Sequence, residues 1–135
     1  MKIILSLVIA SLIGSNVFLK SSDELEKSIA RGKMVYSENC ISCHMGTGEG
    51  VTGTFPPLAQ SDYLIEQQEE SIRAIKYGLI GKITVNGVPY DNMMPSPGLD
   101  DEEIADVMNY ILNTWDYKSD QPMITAQQVK LVKEE

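Results

Sequence analysis

Cys40-Ile41-Ser42-Cys43-His44 places two thiols three positions apart and an imidazole directly after the second. In this C-x-x-C-H order each thiol can add to a vinyl group on one edge of a porphyrin while the histidine reaches the iron, the pattern of covalent haem c attachment. A thioredoxin-like redox pair would want a strand before the motif and a helix after it; here a helical pattern precedes it and a glycine-rich loop follows. A zinc site would draw four ligands from Cys and His, and the chain holds two cysteines and one histidine. A plain disulfide would leave His44 without a role. One haem, attached through Cys40 and Cys43 with His44 as a metal ligand, is the expected cofactor.

With a single histidine, bis-histidine coordination is impossible, so the iron has either an open face or a sixth ligand for which methionine is the candidate. Met1 stands in the leading apolar segment, and Met45, next to His44, cannot swing to the opposite face. Met34 and Met108 fall on helical segments where core packing is expected, and Met123 lies in the tail. Met93 and Met94 remain, in the restricted loop Asp91-Asn92-Met93-Met94-Pro95-Ser96-Pro97-Gly98.

The elements that must position these groups are legible in the spacing. Ser22 and Asp23 read as an N-cap before the one-faced stripe Leu25, Ile29, Gly32 and Tyr36, which leads into Cys40. Asp100 and Glu103 form a capping-box pattern ahead of Ile104, Val107, Met108, Ile111, Leu112 and Trp115. Gly46, Gly48, Gly50 and Gly53 mark a loop that ends in Phe55-Pro56-Pro57-Leu58; without a following Lys and Ser/Thr it is no phosphate cradle. Ser61-Asp62 caps a further helical stretch whose buried side is read as Ile65, Ile72, Ile75 and Leu79. Asn86-Gly87, between β-branched residues, predicts a small hairpin over Ile83–Tyr90 that delivers the methionine loop. Thr125 and Gln128 are a second capping-box pattern, ahead of a short terminal helix that either docks or frays.

Met1-Lys2 and the apolar run from Ile3 to Leu19 predict an export signal over residues 1–20, or an uncleaved anchor slightly short of the roughly 20 residues that span a bilayer. A single domain over 21–116 and a tail over 117–135 follow. A periplasmic location is expected, with membrane attachment only if the segment stays. Among 135 residues, 11 Lys+Arg stand against 19 Asp+Glu, a net charge of −8. Loss of residues 1–20 removes Lys2 and Lys20 and no acid, which takes the charge to −10. That sign excludes electrostatic binding of nucleic acid and suits basic redox partner proteins.

Over roughly residues 24–115 the chain resembles the class I c-type cytochromes, on the C-x-x-C-H motif near the start and a methionine loop about fifty residues downstream. The resemblance implies an all-α fold in which the N- and C-terminal helices cross around one haem, with Gly32, Tyr36, Val107 and Tyr110 at the crossing, here with a hairpin before the ligand loop. It selects Met94, which directly precedes a proline, over Met93. It also implies that Pro56 offers its carbonyl to the His44 ring N–H and that Leu58 packs on the porphyrin. The motif's position separates the chain from the cytochrome c′ type. Phe-Pro-Pro-Leu-Ala-x-Ser-Asp-Tyr-Leu and the hairpin resemble domains associated with periplasmic nitrite reductases and quinoprotein dehydrogenases.

The function expected is single-electron transfer without an enzymatic reaction of its own. A subunit docked on a reductase or dehydrogenase is the alternative, and a peroxidase or gas sensor with a displaceable Met94 is a third class. Acidic Asp100 to Glu103 read as a solvated helix start or as a steering patch.

Overall fold

The computed structural model describes residues 22–116 and 121–134; the expected signal or anchor over residues 1–20 lies outside them. The first helix, α1, runs through residues 22–39. Ser22 and Asp23, where a cap is expected, are helical from the first described residue. Helix α2 (Ile41–His44) is a single turn, α3 (Asp62–Glu66) is short, and α4 (Gln68–Tyr77) follows it at once. Strands β1 (Ile83–Val85) and β2 (Val88–Tyr90) pair antiparallel, and α5 (Asp101–Leu112) and α6 (Ala126–Leu131) complete the order. The architecture is mostly helical with one two-stranded hairpin.

Helix α5 begins where its cap dictates: the Asp100 carboxylate accepts from the Glu102 and Glu103 amides, and Glu103 reaches back to the Asp100 amide. Behind that start, Ile104, Val107, Met108, Ile111 and Leu112 are buried and form the centre of the core. Helix α1 crosses here at Gly32. A Cβ placed on Gly32 would run into the Asp106 carbonyl oxygen and lie 2.8 Å from the Tyr110 Cβ, so only glycine permits this approach. Tyr36 and Tyr110 meet beside it with ring centroids 5.4 Å apart.

A polar network that the apolar pattern does not show locks the same crossing. The buried Asp106 carboxylate accepts from Ser28 Oγ at 2.6 Å and from Arg31 Nε at 2.6 Å and Nη2 at 2.8 Å. Asn109 Nδ2 donates to Ser28 Oγ at 2.8 Å. Each polar atom removed from water has regained a partner, the condition on which burial is tolerated.

Four expectations are corrected. Met34 is 59% exposed, because it sits two residues past Gly32 and so on the opposite side of α1. Trp115 lies beyond the end of α5, at φ 52°, and stacks edge-on against Tyr36 and Tyr110 from the following turn. Ile65 is exposed and Leu64 buried instead, since the backbone breaks at Gln67 (φ −124°, ψ 52°) and resets the helical phase between α3 and α4. Leu79 lies past the end of α4, in extended backbone.

Ser61 caps α3, and the hairpin turn has φ 50° at Asn86 and φ 77° at Gly87, the handedness a two-residue turn needs. Strand register pairs Ile83 with Tyr90 and Val85 with Val88. The hairpin tip is tied to α3 by Asn86 N–H donating to Asp62 Oδ1 (2.7 Å) and Asp62 N–H to Asn86 Oδ1 (3.0 Å). Helix α6 docks: Thr125 and Gln128 make the capping box, and Ile124, Val129 and Val132 join the core.

Candidate cofactor site

Cys40, Cys43 and His44 share one turn because the His44 amide donates to the Cys40 carbonyl (2.9 Å) and the Met45 amide to the Ile41 carbonyl (3.0 Å). Met45 then ends the turn at φ 64°, with its carbonyl accepting from the buried Tyr36 hydroxyl at 2.7 Å. The two cysteines are not joined in a disulfide. Burial, with Cys43 adding to it, pushes the Cys40 thiol up to about 11, so it is protonated at neutral pH.

His44 Nδ1 lies 2.9 Å from the Pro56 carbonyl oxygen. A carbonyl only accepts, so Nδ1 carries the proton and Nε2 keeps its lone pair for a metal. Burial lowers the proton affinity of the ring, while the Pro56 bond pulls the other way. The glycine-rich loop brings Pro56 there: Gly50 N–H donates to the His44 carbonyl, and the Leu58 and Ala59 amides both donate to Gly48.

Met94 approaches from the opposite chain direction. Its amide donates to the Leu79 carbonyl at 2.9 Å and its carbonyl accepts from the Leu79 amide at 2.8 Å. Asn92 Nδ2 donates to the Thr54 carbonyl at 2.9 Å and ties the methionine loop to the glycine-rich one.

These elements enclose apolar space. Cys40, His44, Pro56, Leu58 and Met94 line one apolar cavity, and Cys43, His44, Phe55, Pro56, Met93 and Met94 line a neighbouring one. His44 and Met94 border both. The structure thus brings all six residues read from the sequence to the walls of one region. The walls of this space supply two thiols, one imidazole of fixed tautomer and one thioether. The donor set fits a haem. It does not fit zinc, because among the described residues no group of three His, Cys, Asp or Glu is arranged to hold a metal.

The wall residues Tyr63, Ala74, Ile83 and Val85 were not singled out from the sequence as lining. For the strand pair the signal was present: Ile83 and Val85 alternate across Thr84, so both face one side. Leu79 was read only as a buried apolar residue, and its backbone bridge to Met94 has no local signature.

A mostly helical fold whose terminal helices cross beside a C-x-x-C-H turn defines a c-type haem protein. The cytochrome c family model matches residues 29–115, and the chain belongs to that family. It is 41% identical over 91 residues to cytochrome c-552 of Thermus thermophilus, which covers 64% of this chain and 69% of that protein; a second form from the same species is covered to 61%. It is 38% identical over 87 residues to the cytochrome c subunit of a quinone alcohol dehydrogenase of Gluconobacter oxydans, covering 62% of this chain and 18% of that subunit. A cytochrome c6 of Gracilaria tenuistipitata var. liui is 33% identical over 109 residues, 78% of this chain and 87% of that protein. The cofactor is haem c, attached covalently, and the chain is an electron-transferring haem protein that works with redox partner proteins.

Proposed function

We propose that His44 and Met94 would hold the iron of this haem, that Pro56 and Leu58 would orient it, and that the chain is an exported, periplasmic carrier of single electrons without an enzymatic reaction of its own. The observation that carries the reading is that His44 and Met94 both line two adjoining apolar spaces, one of which also presents Cys40 and the other Cys43. When bound, haem c supplies the Fe(II)/Fe(III) couple. The protein's part is to hold the imidazole by its Nδ1–H, hold the thioether by the Leu79 bridge, and exclude water. A thioether ligand and an apolar surround both favour the less charged Fe(II) form and raise the potential.

Ile80 (84% exposed) and Met93 (66% exposed) stand beside Met94 in an open groove bordered by Glu70 and Glu134. The Arg73 guanidinium in that groove is engaged by Glu69 and Glu70. An apolar centre on a chain of net charge −8 suits a partner with an apolar contact rimmed by basic residues. The likeness to dehydrogenase cytochrome subunits supports a second reading, a permanently docked subunit. Native mass in the cell extract separates it from a free carrier. Among the described residues no helix is long and apolar enough to cross a membrane.

The test of ligation is the near-infrared thioether-to-iron band of the oxidised holoprotein. It is expected in the wild type and in Met93→Ala and absent in Met94→Ala, whose potential also falls. Persistence in Met94→Ala with loss in Met93→Ala would move the ligand by one residue; absence from the wild type would overturn the reading.

A further inference from the structure

Residues 121–134 lie beyond the stretch matched by the family, which ends at 115, yet they are built into the molecule. Asn109 Nδ2 donates to the Ile124 carbonyl and Asn109 Oδ1 accepts from the Ile124 amide, both at 2.8 Å. Helix α6 packs on α5, and side chains of α4 reach the backbone at its end. Lys76 Nζ donates to the Val129 carbonyl (2.9 Å), the Tyr77 hydroxyl to the Val132 carbonyl (3.2 Å) and Arg73 Nε to the Lys133 carbonyl (2.8 Å). Positions 73, 76 and 77 are spaced i, i+3 and i+4 and share one face of α4. They meet carbonyls at and just past the end of α6, of which that of Val129 also accepts from the Val132 amide at 3.2 Å.

The same end of α4 holds the Met94 loop from another side. Ser96 Oγ donates to the carbonyl of Lys76 at 2.9 Å and of Ile75 at 3.3 Å. Gly78, at φ 88°, lets the two segments close: a Cβ there would lie 2.9 Å from the Met94 carbonyl oxygen and 3.2 Å from the Ser96 amide nitrogen. Leu79 follows with its two-bond bridge to Met94. Lys76 is the junction. Its ammonium sits between Asp101 Oδ1 (2.9 Å) on α5 and the Val129 carbonyl, and its own carbonyl carries Ser96.

We infer that residues 121–134 are a strap that positions the methionine loop: by gripping Lys76 and Tyr77 it fixes the end of α4, which in turn holds Ser96 and Met94 at the cavity. Lys76 and Tyr77 are positioning residues. The inference rests on Met94 being the ligand, and the rival is a strap that only covers Ile124 and Val129 and adds global stability.

The test uses four holoproteins: wild type, the double variant Lys76→Met with Tyr77→Phe, a chain ending at Asp120, and Arg31→Met as a destabilised control that leaves the bonds from Arg73, Lys76 and Tyr77 to the strap in place. Amide exchange at Leu79 and Met94, relative to Met108 in mid-α5, is followed by NMR in the ferrous state. Imidazole affinity is measured in the ferric state. The double variant is expected to exchange the Leu79 and Met94 amides about tenfold faster and to bind imidazole about tenfold more tightly, the weight of roughly one to two net hydrogen bonds. The control should move Met108 and the two loop amides together. Loop exchange and imidazole affinity that shift in the double variant no more than in the control overturn the inference. If the shortened chain does not fold, the double variant decides alone, because it keeps every buried strap residue. A near-infrared band that survives Met94→Ala overturns the ligand reading instead, and it does so whatever the exchange rates show.

Discussion

At the crossing of α1 and α5, the Gly32 backbone lies directly against the Asp106 carbonyl, and buried Ser28, Asp106 and Asn109 are linked by hydrogen bonds that the exposed Arg31 closes from outside. At the Met94 loop, Met93 and Ile80 face water, and the loop is held by the Leu79 bridge, Ser96 on α4 and Asn92 on Thr54. The crossing reaches the haem space through Ile111 of α5, and the loop lines it with Met93 and Met94. One is held by close packing that has no room to yield, the other by a few replaceable hydrogen bonds. Changes at the crossing should therefore remove or destabilise the whole protein, while changes at the loop should alter ligation and leave the fold standing.

The largest effect is expected from Gly32→Leu. The first side-chain atom already collides with backbone, which cannot rotate away, so holoprotein should not accumulate when yield is read by haem-stained gel. Normal yield and spectrum would end the crossing account. Asp106→Ala comes next. It strands the Ser28 hydroxyl and the Arg31 guanidinium, a loss of about 2–4 kcal/mol, or roughly 10 °C in Tm for a chain of this size. The discriminating half of that prediction is spectroscopic: below its lowered transition the near-infrared band should be unshifted. A band lost in parallel with Tm would show that the two regions are not separate.

How far each region could be read from the sequence follows the same division. The crossing announced itself through period and caps: Gly32 and Tyr36 on one stripe, Asp100 and Glu103 before another. The C-x-x-C-H turn and the Asn86-Gly87 hairpin are local patterns in which neighbours dictate geometry. The Ser28–Asp106 bond spans 78 positions and the Lys76–Val129 bond 53, and no local pattern records either. Nor does propensity show the break at Gln67, since Gln is a good helix former; it was set by tertiary packing that turns Leu64 inward and Ile65 outward. Met34 was misplaced for a simpler reason: residue type suggested core, but its angle around α1 points away from it.

Ser96→Ala sharpens the comparison from the loop side. It removes one hydroxyl from the Lys76 carbonyl, about 1 kcal/mol of loop attachment. The expected result is an imidazole affinity up by about fivefold in the ferric protein, with Tm moved by only a few degrees. A fall in Tm matching that of Asp106→Ala, with imidazole affinity unchanged, would mean that the loop is part of the cooperative core.

The smallest effect is expected where the sequence suggested a steering patch. Asp100 and Glu103 cap α5, Asp101 pairs with Lys76, and Glu102 lies 3.9 Å from an Arg31 already committed to Asp106. These acids are occupied by the crossing, and an exposed pair as long as Arg31–Glu102 contributes well under about 1 kcal/mol. Glu102→Gln should shift Tm by no more than a degree or two and change the rate of electron exchange with cationic ruthenium hexaammine by less than twofold. The wild-type rate should nonetheless fall, by about tenfold, between low and physiological ionic strength, because attraction at a distance reflects the net charge of −8 and not one carboxylate. A rate that Glu102→Gln cuts as deeply as salt does would place the electron port at the start of α5, on the crossing side of the molecule, and would move it away from Met93 and Ile80.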